Sequence, residues 1–258
     1  MNATQRLRMF AGPNGSGKST IKAVVESAIG SDLLGVYINP DEIEGAIRHS
    51  RVLDLASFRL ETNADEILGY FRGSPFLAEK GLIDKAASIS FIEGRLDFSS
   101  VGVGPHLSYL ASVAADFIRH KLLESRVSFT FETVMSSRDK VEFLRKAQGC
   151  GFRTYLYYVA TEDPEINISR VASRVAAGGH PVPPEKIVSR YSRSLDLLLD
   201  AVQYSNRAYI FDNSSSDKSV WIAEVTDAAI LEFRADSMPY WFKTALWDKF
   251  AAVEDPAE

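Results

Sequence analysis

The chain has 258 residues, 46% of them hydrophobic, which is enough to bury a sizeable core in one main domain. Its 34 acidic residues outnumber the 29 basic ones, and the net charge of -5 argues against broad electrostatic attraction to nucleic acid or an anionic membrane. The single cysteine, Cys150, excludes an intramolecular disulfide and a thiolate metal cluster and suits a reducing cytoplasm; with no apolar signal run and no long uncharged apolar stretch, neither secretion nor membrane spanning is expected.

Residues 7–11 read as a short strand and residues 21–29 as a helix, and between them stands a complete phosphate-binding loop: Gly12, Pro13, Asn14, Gly15, Ser16, Gly17, Lys18, Ser19 and Thr20. The glycines let the backbone curl so that successive amides point inward at phosphates. Lys18 adds a cation for the β and γ oxygens, Ser19 offers its hydroxyl to Mg²⁺, and the helix start adds unpaired amides. The loop reads a nucleoside triphosphate, ATP or GTP, without reading the base.

Residues 34–38 look like a second buried strand, ending in the turn Asn39-Pro40-Asp41. Asp41 therefore falls at a strand's carboxyl end, where open parallel sheets bind ligands, and a carboxylate there suits a base that orients an acceptor hydroxyl. The plainer reading of Asp41 is a helix N-cap after a proline. Residues 51–105 read as an insertion, with helical pattern over 58–70 and a hairpin over 88–98. A core-facing helix starts at Leu107, with His106 and His120 expected at the surface. Residues 127–135, rich in β-branched and aromatic types, should form a central strand; Glu132 in it lies either at the rim or at a functional site, touching Mg²⁺ or substrate.

A helix over 138–148, a strand over 155–160 and an N-cap at Thr161-Glu162-Asp163-Pro164 follow. The next helix carries Arg170 and Arg174, four apart and so on one face; guanidiniums beside a triphosphate can stabilise charge on the transferring phosphoryl group, and a solvated helix face is the bland alternative. A long helix over 184–204 carries Arg190 as a secondary candidate. A fifth strand over 208–211 leads into Asp212 and Asn213, which border a base pocket or form a turn; a hairpin over 219–233 and a short aromatic helix near 239–250 close the chain, with 254–258 frayed.

The loop GPNGSGKST, the turn NPDEI, the segment FETVMSS and the run RVASRVAAGGHPVPPEKIVSRY together resemble the zeta-toxin-like small-molecule kinases, over most of residues 7–214. The resemblance implies a kinase-like P-loop sheet and transfer of the γ-phosphate of ATP or GTP to a sugar hydroxyl, for which UDP-N-acetylglucosamine is the best-known acceptor. By the same resemblance Lys18 and Ser19 hold nucleotide and Mg²⁺, Asp41 is the general base and Glu132 the conserved acid. The toxins place functional arginines in and after the clamp helix; here Arg170 and Arg174 share one helix and His180 stands near the second position. Toxin members also imply an antitoxin partner.

The expectation is a three-layer α/β P-loop kinase-like fold with a mostly parallel central sheet and helices on both faces. Residues 1–214 would form the kinase domain, with the insertion at 51–105, and 215–258 a hairpin and helix packed on it. The expected activity is a cytoplasmic, Mg²⁺-dependent phosphotransferase, with Asp41, Lys18, Arg170 and Arg174 catalytic, residues 12–20 on the nucleotide, and Ser19 and Glu132 on the metal. The alternatives are a nucleotide-hydrolysing switch acting on a protein partner and a kinase of nucleotides or nucleic-acid ends; the acidic balance disfavours the latter.

Overall fold

The computed structural model describes residues 4–179, 181–215 and 217–254. His180 and residues 255–258, part of the tail expected to fray, lie outside the described residues. The chain divides into two compact units, one formed by Met1–Leu34 and Thr130–Glu258, the other by Gly35–Phe129. Among the described residues the strands are β1 (Arg6–Ala11), β2 (Val36–Ile38), β3 (Val52–Asp54), β4 (Ser90–Ile92), β5 (Arg95–Asp97), β6 (Phe129–Thr133), β7 (Arg153–Ala160), β8 (Arg207–Asp212), β9 (Val220–Thr226) and β10 (Ile230–Phe233).

In the larger unit the sheet order is β10-β9-β8-β7-β1-β6. β1, β7 and β8 are parallel, with Phe10 opposite Tyr157 and Tyr157 opposite Tyr209, whereas β9 and β10 add an antiparallel hairpin at one edge. This is the mostly parallel α/β sheet expected from strands alternating with helices. Side chains alternate across the two faces. On one face Phe10, Tyr157 and Val159 pack against Ile21 and Val25 of the helix Lys18–Ile29, and the Phe10, Tyr157 and Tyr209 rings stack at centroid distances of 4.5 and 5.0 Å. On the other, Tyr158 bonds Ser194 of the helix Pro184–Asp196 at 3.0 Å and meets Trp241 at 6.2 Å. Helices thus cover both faces. Burying each ring of such a stack contributes about 2 kcal/mol.

Several local expectations shift. The long helix of 184–204 is two helices, Pro184–Asp196 and Leu198–Gln203, meeting at Leu197, whose φ of -89° and ψ of -1° fall outside the ideal helix. The break turns Leu198, Ala201 and Val202 fully into the core while Ser194 keeps its bonds to Tyr158 and to the Val134 carbonyl. Cys150 is the half-buried residue closing the helix Asp139–Gly149, as expected.

In the smaller unit, β4 and β5 form the expected hairpin, and β3, which the sequence reading missed, pairs with β5. The helical pattern over 58–70 resolves into a turn of 3-10 helix at Ala56–Phe58 and a helix Ala64–Arg72. The later start has a cause: the Asn63 side chain accepts the Glu66 amide at 3.0 Å and caps the helix there. The helix Leu107–Glu124 is core-facing as expected, but His106 and His120 are half-buried, and a His120 ring nitrogen lies 2.9 Å from the Asp116 carbonyl. No helix among the described residues is long and apolar enough to cross a membrane.

Candidate active site

The loop between β1 and the helix Lys18–Ile29 is shaped by three glycines at which any side chain would be strained. Gly12, Gly15 and Gly17 have φ of 142°, 76° and 95°, values that L side chains rarely adopt. Space is equally short. A Cβ on Gly12 would stand 2.0 Å from the Val159 carbonyl oxygen at the end of β7, one on Gly15 2.6 Å from the Asn167 carbonyl oxygen, and one on Gly17 2.1 Å from Asn213 Nδ2. The loop is therefore pressed onto the carboxyl end of the sheet, the ligand end of parallel α/β folds.

Lys18 Nζ donates to the carbonyls of Gly12 and Pro13, both at 3.0 Å, so its ammonium lies over the loop's opening residues. Ser16 is fully buried, and its Oγ has no hydrogen-bond partner among the described residues. Thr20 is exposed on the first turn of the helix. The Ser19 hydroxyl donates to a carboxylate oxygen of Glu132 at 3.0 Å; Glu132 sits near the end of β6 and is 5% exposed. Among the described residues no three His, Cys, Asp or Glu side chains cluster as metal ligands. One hydroxyl and one carboxylate are hard oxygen donors that fit Mg²⁺, which commonly takes one or two protein ligands and completes its shell with phosphate and water.

The arginines part company. Arg170, in the helix Pro164–Ala176, donates to the carbonyls of Asn213 at 2.7 Å and Ser215 at 3.0 Å. Arg174, one turn later, is exposed, and its carbonyl accepts the Gly179 amide at 2.9 Å as the helix ends. Arg190 approaches the Asn14 side-chain oxygen at 3.4 Å. In the smaller unit, Asp41 is exposed in the first turn of the helix Pro40–Ser50. It is not the N-cap: Asn39 is, its side chain accepting the Asp41 amide at 3.0 Å, with Pro40 as the first helical residue. The capping duty that competed for Asp41 therefore belongs to its neighbour.

One asparagine, Asn167, went unassigned in the sequence. Asn167, fully buried, donates to the Asn14 carbonyl at 2.6 Å and accepts from the Thr161 hydroxyl, while the Tyr191 hydroxyl holds the Thr161 carbonyl at 2.6 Å. Asn213, read as a turn or base-pocket residue, donates from Nδ2 to the Ser16 carbonyl at 2.8 Å. The available signal was an amide on the same helix stripe as the buried Val171, four residues on: a polar group where the pattern asks for an apolar one.

Residues 107–220 match the zeta toxin family model. Among solved structures, the chain superimposes on a chain of the AvrRxo1-ORF1:-ORF2 complex with ATP, with a TM-score of 0.55, 14% identity, and coverage of 96% of this chain and 64% of that one. It also superimposes on a chain of the PezAT chromosomal toxin-antitoxin system of Streptococcus pneumoniae, with a TM-score of 0.52, 12% identity, and coverage of 99% and 87%. At such identities these likenesses show the fold alone. A Haemophilus influenzae protein described as uncharacterized is 28% identical over 72 residues, or 28% of this chain, and the match spans about half, 51%, of that relative's length. Residues 107–220 thus match the zeta toxin family, within a mostly parallel α/β fold like that of the AvrRxo1-ORF1:-ORF2 and PezAT chains.

Proposed function

We propose that the protein is a nucleotide-dependent phosphotransferase that moves the γ-phosphate of ATP or GTP to a hydroxyl of a small molecule, with a nucleotide sugar such as UDP-N-acetylglucosamine as the first acceptor to test. The observation that carries this reading is the curled glycine loop with Lys18 over it and the Ser19 hydroxyl on the Glu132 carboxylate. The zeta toxin match of residues 107–220 supports it.

On this reading the amides of residues 12–20 and the Lys18 ammonium bind the triphosphate and neutralise its charge. Asp41 accepts the proton of the acceptor hydroxyl as that oxygen bonds to the γ-phosphorus, and the bond to the β,γ-bridging oxygen breaks to release the nucleoside diphosphate. Arg174 adds a cation for the charge developing on the phosphoryl oxygens, and Arg170, whose guanidinium holds two carbonyls, contributes to the shape of the site. Ser19 and Glu132 would hold Mg²⁺, which supplies further charge neutralisation when bound. Residues 1–214 would form the kinase domain, with 51–105 as an insertion and 215–258 as a terminal addition. The neighbours solved as toxin-antitoxin or two-component complexes make an antitoxin-type protein the partner to look for, in the cytoplasm.

The test is transfer from γ-labelled ATP or GTP, with Mg²⁺, to a panel of nucleotide sugars and other polyols beside an Asp41→Asn control. Label entering an acceptor only with the unsubstituted protein establishes the reading. Label released solely as inorganic phosphate would replace it with a nucleotide-hydrolysing switch.

A further inference from the structure

A phosphate loop works only if its amides face the anion, and glycine-rich loops are where peptide planes flip at least cost. In a planar trans peptide the carbonyl and the following N–H point in opposite directions. Whatever holds the carbonyl outward therefore aims the next amide inward. The Asn14 carbonyl is held by Asn167 Nδ2 at 2.6 Å, which sets the Gly15 amide; the Ser16 carbonyl is held by Asn213 Nδ2 at 2.8 Å, which sets the Gly17 amide. Gly15 and Gly17 are the positions with φ of 76° and 95°.

Both asparagines are themselves anchored. Asn167 is fully buried, its side-chain oxygen taken by Thr161. Asn213 donates its amide to the Ala160 carbonyl at 2.8 Å at the end of β7, and its carbonyl accepts from Arg170 at 2.7 Å. The adjoining turn is fixed by the Asp212 carboxylate, which accepts from the Ser214 amide at 3.0 Å, the Ser214 hydroxyl at 2.8 Å and the Trp241 indole at 2.7 Å. Asn167 and Arg170 lie three apart on the helix Pro164–Ala176, so one helix face reaches the loop twice, directly and through Asn213.

We infer that Asn167 and Asn213 are positioning residues that lock the Asn14–Gly15 and Ser16–Gly17 peptides with their amides toward the phosphates, and that Arg170 acts on the loop through Asn213. This rests on the reading of residues 12–20 as a triphosphate site. The locked loop meets its ligand without reorganisation, which is the source of the affinity at stake.

The test is calorimetric titration of Mg-ATP and Mg-GTP into the full chain and into Asn213→Ala, Asn213→Asp, Arg170→Ala and the Arg170→Ala/Asn213→Ala double variant, with nucleotide-free melting curves for each. Asn213→Asp keeps the size and removes the donor. Expected is an affinity loss of about tenfold for both Asn213 variants, the scale of one hydrogen bond. Arg170→Ala should lose less, and the double variant should lose no more than Asn213→Ala alone, the non-additivity of two residues acting in series. If Asn213→Ala melts well below the unsubstituted chain, Asn213→Asp carries the comparison. Affinities of both Asn213 variants within about twofold of the unsubstituted chain overturn the inference alone, as do fully additive losses for Arg170; an unsubstituted chain that binds neither nucleotide overturns the triphosphate site and the inference with it.

Discussion

The Ser19 hydroxyl and the Glu132 carboxylate, 113 residues apart in the chain, meet at 3.0 Å. A loop at the end of β1 and the end of β6 are thereby joined through two hard oxygen donors, a kind that fits Mg²⁺. The pair is polar, largely buried on the Glu132 side, and built from residues that a stability argument would not place there.

Glu132→Gln keeps an oxygen that can accept from Ser19 while removing the charge. The expected result is a rise of about tenfold in the Mg²⁺ concentration needed for half-maximal nucleotide binding, the scale of one charge-assisted contact, with a melting temperature no lower than that of the unsubstituted chain. Titration of Mn²⁺ followed by electron paramagnetic resonance reads the metal directly. An unchanged metal requirement removes Glu132 from the site.

Asp41→Asn should leave triphosphate affinity within about twofold and lower phosphate transfer by at least about a hundredfold, the usual contribution of a general base. Its cost in stability is a few tenths of a kcal/mol, from lost negative charge at an exposed position in the first turn of the helix. Transfer at the original rate would mean another group takes the proton.

Gly12→Ala is a test of the loop's seat on the sheet. The added methyl would stand 2.0 Å from a backbone oxygen that no rotamer change can move, at a φ of 142°. The backbone must shift, at about 2 kcal/mol or more. Urea denaturation of the nucleotide-free chain measures it, and a midpoint equal to that of the unsubstituted protein would contradict the packing described for Gly12 and Val159.

Burial pushes the Tyr157 hydroxyl up to about 12, against the smaller opposing influence of Arg8. An unfolded tyrosine ionises near pH 10, roughly. The sign follows: the folded-state pKa is raised, so its stabilisation is complete below about pH 10 and is lost as pH climbs toward 12, a change of about 2 kcal/mol over that window. Tyr157→Phe should flatten that part of the alkaline decline. A slope remains from Tyr158 and Tyr191, whose hydroxyls burial also raises. Identical declines in denaturation curves taken across that range would sink the assignment.

The curled loop over residues 12–20 was legible because every constraint on its shape is local: glycine where φ is positive, lysine and serine at fixed offsets, a strand before and a helix after. The alternation of short apolar runs with helical patterns likewise announced the α/β sheet, because burial on both faces writes itself into each strand separately. Local competition hid other features. Asp41 could not be separated from a cap in the sequence; in the structure Asn39 is the cap, its side chain accepting the Asp41 amide. The break at Leu197 was invisible because each half of 184–204 is a sound helix and only the demands of Ser194 and Leu198 on the core separate them.

The sequence by itself determined the glycine-rich loop and the alternation of strands with helices, both of which depend on neighbours within a few positions. The tertiary structure decided which distant side chains serve that loop. It brought Glu132 to Ser19 and set Asn167 and Asn213 on two loop carbonyls, and it turned Arg170 onto the carbonyls of Asn213 and Ser215. The physical reason is that an asparagine or arginine has the same character in a solvated turn as in a brace. Its role is fixed only when chain folding places an unsatisfied carbonyl within hydrogen-bond reach.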